Sequence, residues 1–411
     1  MNQEKALEII LAGHNVFLTG PPGSGKSYLL KIAVKEFQNI NKKVAITAST
    51  GIAASQINGL TLHSWSNISD FTKNKTLYDY ESNKDLVSRY KQVDVLIIDE
   101  ISMLDAEHLA SVNNMAKFLR KSSKPFGGIQ LILVGDFFQL PPVSKALNPR
   151  NIYLFESDLW KELDLTICYL NTQYRQQTQG DLMTILTKIR NNSLDKYSLN
   201  ILQNRVLKPK NSSMLKLYSH NYDVNIENHI NNQNLKTKTK RFKLLRFGIK
   251  KYIDDIIYNN GFKDPQEFKI GSKVIFILNR PNLGYVNGLR GEIISFKKSL
   301  PLVKTDDRRI ILVDYQEFCL ETNNVKLAKI ICLPLKLAWA ITIHKSQGMS
   351  LNCAEIDLNR SFSPGMGYVA LSRVKSLEGV YLKGFNKMAF LVDKRVSEID
   401  KTWVKASSLG P

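Results

Sequence analysis

The chain switches between two hydrophobic periods from its first residues onward. Apolar positions at helical spacing over 7–12 predict a helix face, a β-branched run over 15–19 a strand, and 28–38 a second helix. Further strands are predicted at 44–48, 94–99 and 130–135, the middle one apolar without interruption. Uninterrupted apolar strands alternating with helices belong to a parallel sheet covered on both faces. The stretch 66–90 breaks this scheme with polar, Tyr- and Lys-bearing sequence and reads as a small insertion.

After Trp160 the alternation starts again, with a strand at 168–170, a helix at 181–190, a strand at 215–219 and a helix at 223–235. The runs 269–278, 291–296 and 309–313 then read as antiparallel strands, with Asn287-Gly288 as a turn between two of them. This favours a small β-barrel or SH3-like insert. The α/β pattern resumes over 335–343 and runs to about 391, and from 392 the sequence is polar and weakly patterned.

Composition narrows the partner more than the fold. Of 411 residues, 43% are hydrophobic and 23% charged, which is globular and not disordered. Lys and Arg number 57 against 37 acidic residues, a net charge of +20 that points to a polyanion, most often nucleic acid. Cys168, Cys319, Cys332 and Cys353 stand far apart with no C-x-x-C pair, which excludes a zinc ribbon and a disulfide scaffold and fits a reducing compartment. The longest apolar stretches, 274–278 and 337–343, are too short to span a bilayer. The opening Met1-Asn2-Gln3-Glu4-Lys5 resembles neither a signal core nor a transit peptide. The expectation is a soluble intracellular protein of nucleus or cytoplasm, without a membrane partner.

Gly20-Pro21-Pro22-Gly23-Ser24-Gly25-Lys26-Ser27 satisfies G-x-x-x-x-G-K-[ST] between a predicted strand and a predicted helix. Such a loop wraps backbone N–H groups around nucleotide phosphates, and the helix N-terminus adds its positive end. Lys26 supplies a point charge to the phosphates, and Ser27 a hydroxyl to Mg²⁺. Asp99-Glu100 closes the apolar strand Val95-Leu96-Ile97-Ile98. There Asp99 would hold Mg²⁺ and Glu100 would polarise the attacking water. Gln139 follows another strand, where a neutral amide can sense the γ-phosphate.

The motifs together resemble the PIF-type (petite integration frequency) DNA helicases of superfamily one. The P-loop, Thr47-Ala48-Ser49-Thr50-Gly51-Ile52-Ala53-Ala54, Ile98-Asp99-Glu100-Ile101-Ser102-Met103 and Gly135-Asp136-Phe137-Phe138-Gln139-Leu140-Pro141-Pro142 follow one another in that family's order. Lys124-Pro125-Phe126-Gly127-Gly128-Ile129-Gln130 looks like the end of the family's own signature. Gln173-Tyr174-Arg175-Gln176, Ile343-His344-Lys345-Ser346-Gln347-Gly348-Met349 and Gly367-Tyr368-Val369-Ala370-Leu371-Ser372-Arg373 continue the match to about residue 385.

The resemblance implies an α/β protein of two RecA-like P-loop domains with parallel sheets and ATP in the cleft between them. The first would cover 1–165 with an insertion at about 62–92. The second would cover 166–240 and 333–391, interrupted by an SH3-like β insertion at 241–332 and followed by a tail at 392–411. By motif, Gln3 reads the adenine, Gln347 and Gly348 belong to the nucleotide site, and Arg175 and Arg373 are arginine fingers from the second domain. A guanidinium fixed against the transferring phosphoryl group is worth about 10³–10⁵ in rate.

The DNA track would run over Ser49, Thr50, Gly51, Thr61, His63, Trp65, His344, Lys345 and Ser346. Small polar groups can hold strand phosphates while His63 and Trp65 stack on bases, both indifferent to sequence. Trp65 alone reads equally as a core aromatic. The basic run of Lys236, Lys238, Lys240, Arg241, Lys243, Arg246, Lys250 and Lys251 either lines DNA or is a solvated face. His220-Asn221 stands where relatives carry Thr-Asn, and His220 is given no role.

The implied activity is ATP- and Mg²⁺-dependent 5′→3′ movement on single-stranded DNA by a monomer, with unwinding of forked duplex. Replication, repair, recombination and telomere maintenance are the processes such an enzyme serves. The rivals are a RecD- or phage-type helicase of the same superfamily, a DNA-stimulated ATPase that remodels protein–DNA complexes without unwinding, and a DNA-binding module with a decayed ATPase. Intact Lys26, Asp99, Glu100, Gln139, Arg175 and Arg373 argue against decay.

Overall fold

The structure, a computed structural model, describes residues 1–68, 77–142, 153–171, 180–208, 214–322 and 325–409. The chain divides into two compact units. One is built from most of the first 212 residues together with everything after Thr342, and the other is centred on 213–342.

The first unit begins α1 (Gln3–Leu11), β1 (Val16–Thr19), α2 (Lys26–Asn39), β2 (Val44–Ala48), α3 (Gly51–Gln56), β3 (Leu60–Thr61) and α4 (Leu62–Ser66). It continues α5 (Tyr78–Glu81), α6 (Lys84–Gln92), β4 (Val95–Asp99), α7 (Ala106–Arg120), β5 (Gln130–Val134), α8 (Asp158–Glu162), β6 (Thr166–Tyr169), α9 (Gly180–Arg190) and α10 (Lys196–Asn204). Six of these strands form one sheet in the order β3-β2-β4-β5-β1-β6, parallel throughout.

The sheet is apolar on both sides because both are covered. On one side Val16, Leu18, Ile97, Ile132 and Val134 pack with Ile9 and Ile10 of α1 and Leu29, Leu30, Ala33 and Phe37 of α2. Burying each of the Val, Leu, Ile and Phe side chains among them contributes about 1.5–3 kcal/mol. The strands predicted at 44–48, 94–99 and 130–135 are all present.

In this part of the chain two features differ from the sequence pattern. The strand read at 168–170 as the start of a second domain is β6, and it pairs with β1 at the edge of the first sheet. Asn15 O accepts from Thr166 N at 2.8 Å and Thr19 O from Leu170 N at 2.9 Å, which fixes that register. The described part of the expected insertion at about 62–92 is helical, and α6 buries Leu86 and Tyr90; residues 69–76 lie outside the described residues.

The second unit runs β7 (Lys216–Tyr218), α11 (Asn221–Asn234), β8 (Lys240–Phe242), β9 (Leu245–Gly248), α12 (Lys250–Asn260), β10 (Gln266–Phe268) and β11 (Lys273–Phe276). It ends β12 (Arg290–Lys297), β13 (Leu300–Thr305), β14 (Ile310–Leu312), β15 (Gln316–Thr322), β16 (Val325–Cys332), β17 (Leu335–Leu337) and β18 (Ala340–Thr342). An antiparallel sheet of order β14-β13-β12-β11-β17 closes over Val274, Phe276, Ile293, Val303 and Leu335. A second sheet, β15-β16-β9, packs with α12 through Ile253, Ile256, Phe318 and Ile330. The insertion therefore holds two cores, and β17, read from sequence as resumed α/β pattern, belongs to its first sheet. β7 and β18 pair in parallel.

The chain returns to the first unit with α13 (Ile343–Ser346), β19 (Ala354–Leu358), α14 (Met366–Ser372), β20 (Val380–Phe385) and α15 (Lys394–Leu409). β19 and β20 are parallel neighbours. The segment from 392, expected as an unpatterned tail, is mostly helix. Val396, Trp403 and Ser407 of α15 are buried, spaced i, i+7 and i+11 along one face of an amphipathic helix. Trp403 stands 4.9 Å from Phe17 and 5.6 Å from Phe137, ring centre to ring centre. Ser407 Oγ accepts from Tyr169 N at 2.9 Å, so α15 covers β6.

Candidate nucleotide site

β1 ends at Thr19 and the chain turns through the P-loop into α2. Gly20, Gly23 and Gly25 take positive φ of 143°, 80° and 85°, and a Cβ on Gly20 would lie 2.6 Å from Leu170 O. These positions need glycine. Pro21 and Pro22 occupy the bend and Ser27 is exposed in the first turn of the helix. Lys26 Nζ donates to Gly20 O at 2.7 Å and Pro21 O at 3.1 Å. Burial lowers its pKa, opposed first by the Asp136 carboxylate. Gln3, on α1, donates weakly to Ser24 O at 3.5 Å and Gly25 O at 3.4 Å, placing its amide against the loop.

The acidic pair stands at the end of β4. Burial and the neighbouring Glu100 push the Asp99 carboxyl up to about 7, while Asp99 Oδ1 accepts from Glu100 N at 2.8 Å. Glu100 takes a left-handed backbone (φ 52°, ψ 45°), which is uncommon outside glycine and carries a local cost. Ser49 holds this turn by donating its hydroxyl to Glu100 O at 2.7 Å and its N–H to Asp99 O at 3.1 Å.

The later motifs return to the same unit. Gln139 is buried, and Arg373 Nη2 reaches its Oε1 at 3.4 Å. Arg373 also donates to Val369 O at 3.2 Å and Ser372 Oγ at 2.9 Å. Gln347 Nε2 donates to Ser102 Oγ at 2.9 Å. Gly348, at φ 84°, accepts through its carbonyl from Gln56 Nε2 and lies against Ala53. Arg175, the other expected finger, lies with its motif outside the described residues.

Ser24 Oγ, Glu100 Oε2 and Gln347 Oε1 are buried with no hydrogen-bond partner among the described residues. Buried polar atoms left in that state are expensive, and a polar ligand resolves the cost. A nucleoside triphosphate with Mg²⁺ fits this donor set: Lys26 and the loop amides for phosphate oxygens, Ser27 and Asp99 for the cation. When bound, the cation supplies charge neutralisation at the β- and γ-phosphates.

The residues expected on DNA are placed unevenly. Thr50 and Thr61 cap α3 and α4, each hydroxyl oxygen accepting a backbone N–H at 3.2 Å. Gly51 opens α3. His63 is exposed and stacks on His108 with ring centres 3.8 Å apart. Trp65 is buried and packs on Tyr90 at 4.8 Å, so of its two readings the core one describes this conformation. His344 is half-buried beside Phe362, burial lowering its pKa. Lys345 is exposed and Ser346 is buried, donating to Ile343 O at 2.7 Å.

Sequence reasoning missed the buried cluster next to Gln139. Arg190 donates to Asp136 Oδ1 at 2.7 Å, Tyr368 OH at 3.1 Å, Tyr169 OH at 3.0 Å and Asp400 Oδ1 at 2.9 Å. The available signal was an arginine four residues after Leu186 on the buried stripe of α9.

Comparisons with known proteins point to one family. The PIF1-like helicase family matches residues 1–204. The ATP-dependent DNA helicase Pif1 of a Psychrobacter species is 38% identical over 96% of this chain and 69% of its own length. The Xenopus laevis ATP-dependent DNA helicase PIF1 is 35% identical over 93% of this chain, which spans 61% of that protein. Among solved structures, the Candida albicans Pif1 helicase superposes with a TM-score of 0.88 at 31% identity, covering 97% of this chain and 98% of that one. A Bacteroides Pif1 helicase in complex with ADP-AlF3 and single-stranded DNA gives 0.81 at 26%, covering 98% of each chain. A structure of Pif1 helicase, two copies of which coordinate in DNA unwinding at forked duplex, gives 0.83 at 28%, covering 98% of this chain and 96% of that one. At 38% identity to a Pif1 helicase over 96% of its length, and with the family model matching the half that holds the P-loop and the acidic pair, the chain belongs to the PIF1-like helicase family.

Proposed function

We propose that this chain hydrolyses ATP to move 5′→3′ along single-stranded DNA and so opens duplex DNA at forks. The observation that carries the reading is the 3.4 Å approach of Arg373 to Gln139. It joins an arginine from the C-terminal motifs to the loop that leaves β5, beside the strand that delivers Lys26. An arginine and an amide so placed can answer to a γ-phosphate, stabilising its charge in the transition state and registering its loss afterwards. In this reading Lys26 and Ser27 hold the triphosphate and Mg²⁺, Asp99 holds the cation, Glu100 orients water, and Arg175 is a second finger.

Ser49, Thr50, Gly51, Thr61, His63, His344, Lys345 and Ser346 border the DNA track, and the antiparallel insertion, SH3-like in its five-stranded sheet, covers the strand. The enzyme works as a monomer on DNA and serves genome maintenance. The +20 net charge suits weak, repeated phosphate contacts.

The test is unwinding of duplexes carrying a single 5′ or 3′ tail, alongside ATPase assays with and without single-stranded DNA. Unwinding only from the 5′ tail supports the proposal, and a requirement for the 3′ tail rejects the polarity. DNA-stimulated turnover with no unwinding from either tail identifies a remodeller of protein–DNA complexes instead. Lys26→Ala must abolish turnover in every case.

A further inference from the structure

Arg190 ends α9 and is almost fully enclosed, 5% exposed. One guanidinium meets four oxygens from four different elements: Asp136 after β5, Tyr169 on β6, Tyr368 on α14 and Asp400 on α15. Its Cζ also lies over the Phe138 ring, 3.9 Å from the ring centre. Tyr368 closes the loop of contacts by donating to Asp136 Oδ2 at 2.7 Å, and Tyr169 by donating to Asp400 Oδ2 at 3.2 Å.

A buried ion pair is weak evidence for stability, since desolvation offsets most of the attraction. The placement of this one says more. Asp136 and Phe138 are the loop that ends in Gln139, and Tyr368 lies on the helix that ends beside Arg373. Gly365, at the start of α14, comes so near that a Cβ there would lie 2.8 Å from Phe138 O. The loop and the helix are therefore joined at three levels: Phe138 against Gly365, Asp136 to Tyr368, and Gln139 to Arg373. Arg190 binds both partners of the middle contact at once.

We propose that Arg190 is a positioning residue of the ATPase, fixing the 136–139 loop against α14 so that Gln139 and Arg373 stand together. Asp400 extends this brace to α15, whose register is held by Ser407 on Tyr169 N. Arginine is required, because a lysine ammonium is a point charge that cannot span oxygens on opposite sides of a planar fork. The inference rests on the ATPase reading above and adds a residue that acts only through others.

The test uses the full chain with Arg190→Lys, Tyr368→Phe and Gln139→Ala, singly and with Tyr368→Phe added to Gln139→Ala. Melting, affinity for a fluorescent ATP analogue, and kcat and KM of turnover with single-stranded DNA are measured for each. Arg190→Lys should lower kcat about 100-fold and Tyr368→Phe about tenfold, with KM and nucleotide affinity within about threefold of the parent. In the Gln139→Ala background Tyr368→Phe should cost no further rate, because its effect passes through Gln139.

Unchanged kcat in Tyr368→Phe, or a loss that multiplies with that of Gln139→Ala, overturns the proposal. Should Arg190→Lys fail to fold, Tyr368→Phe, which removes one hydroxyl, decides the matter. A parent chain whose turnover ignores DNA would overturn the helicase reading instead, and the same cycle run on its basal turnover still judges the brace.

Discussion

The ammonium of Lys26 rests 2.7 Å from the carbonyl oxygen of Gly20, so the cation that serves the phosphates is bound to its own loop. Those carbonyls satisfy the charge, and a nucleotide replaces them with phosphate oxygens of opposite full charge. Lys26→Ala should remove ATP binding. The parent chain at a ligand concentration of 100 Kd gains about 2.7 kcal/mol of stability from a bound nucleotide. Thermal melts with and without MgATP should show that gain in the parent and none in Lys26→Ala. An equal shift in both would remove Lys26 from the site.

Arg373→Ala should lower DNA-stimulated turnover about 10³-fold, within the range for an arginine finger, with a smaller change in nucleotide affinity. Arg373 and Gln139 touch, so their effects should not multiply. Single and double substitutions, read as kcat, test this directly. Independent, multiplying losses would mean the 3.4 Å contact has no bearing on catalysis.

The first sheet and the phosphate loop were legible because each rests on local rules. An apolar run such as Val95-Leu96-Ile97-Ile98 needs cover on both faces, and three glycines at positive φ mark a loop that wraps an anion. Less legible was what distance in sequence brings together. β6 looks like the head of a second domain until its pairing with β1 is seen, because a short buried strand carries no label for its partner. Trp65 stands in a stretch matching a nucleic-acid motif, yet Tyr90, 25 positions later, takes it into the core. Arg190 gave the weakest signal. A charge at the end of an amphipathic helix normally reaches solvent, and its four partners are spread from Asp136 to Asp400.

The helix at the end of the chain should prove integral to the first unit. Trp403 is 5% exposed and meets Phe17, Phe137, Phe155 and Trp160. Replacing a buried tryptophan by alanine costs about 3–5 kcal/mol. Trp403→Ala should lower the urea midpoint of the first unit accordingly. Trp403→Phe should recover most of it, since aromatic packing and not the indole N–H holds the site. A midpoint unchanged in Trp403→Ala would show that α15 is only loosely attached.

Thiol chemistry checks the burial of both units at once. Burial pushes the thiols of Cys168 and Cys332 up to about 12, whereas Cys319 and Cys353 are exposed. In native protein an aromatic disulfide reagent should modify Cys319 and Cys353 quickly and the other two only after unfolding. The pH dependence follows from the direction of the shift. Unfolded thiols lose their protons near 8.5 while the buried ones keep theirs, so the unfolded chain binds fewer protons above that pH. Stability should therefore be insensitive to these groups below about pH 8.5 and fall as pH rises from there toward 12. Tyr90, Tyr153 and Tyr169, whose hydroxyls are also raised by burial, act in the same direction at higher pH. Urea midpoints between pH 7 and 11 measure the slope, and Cys332→Ala should reduce it. Four equally reactive thiols in native protein, with no alkaline slope, would contradict the packing of β6 and β16.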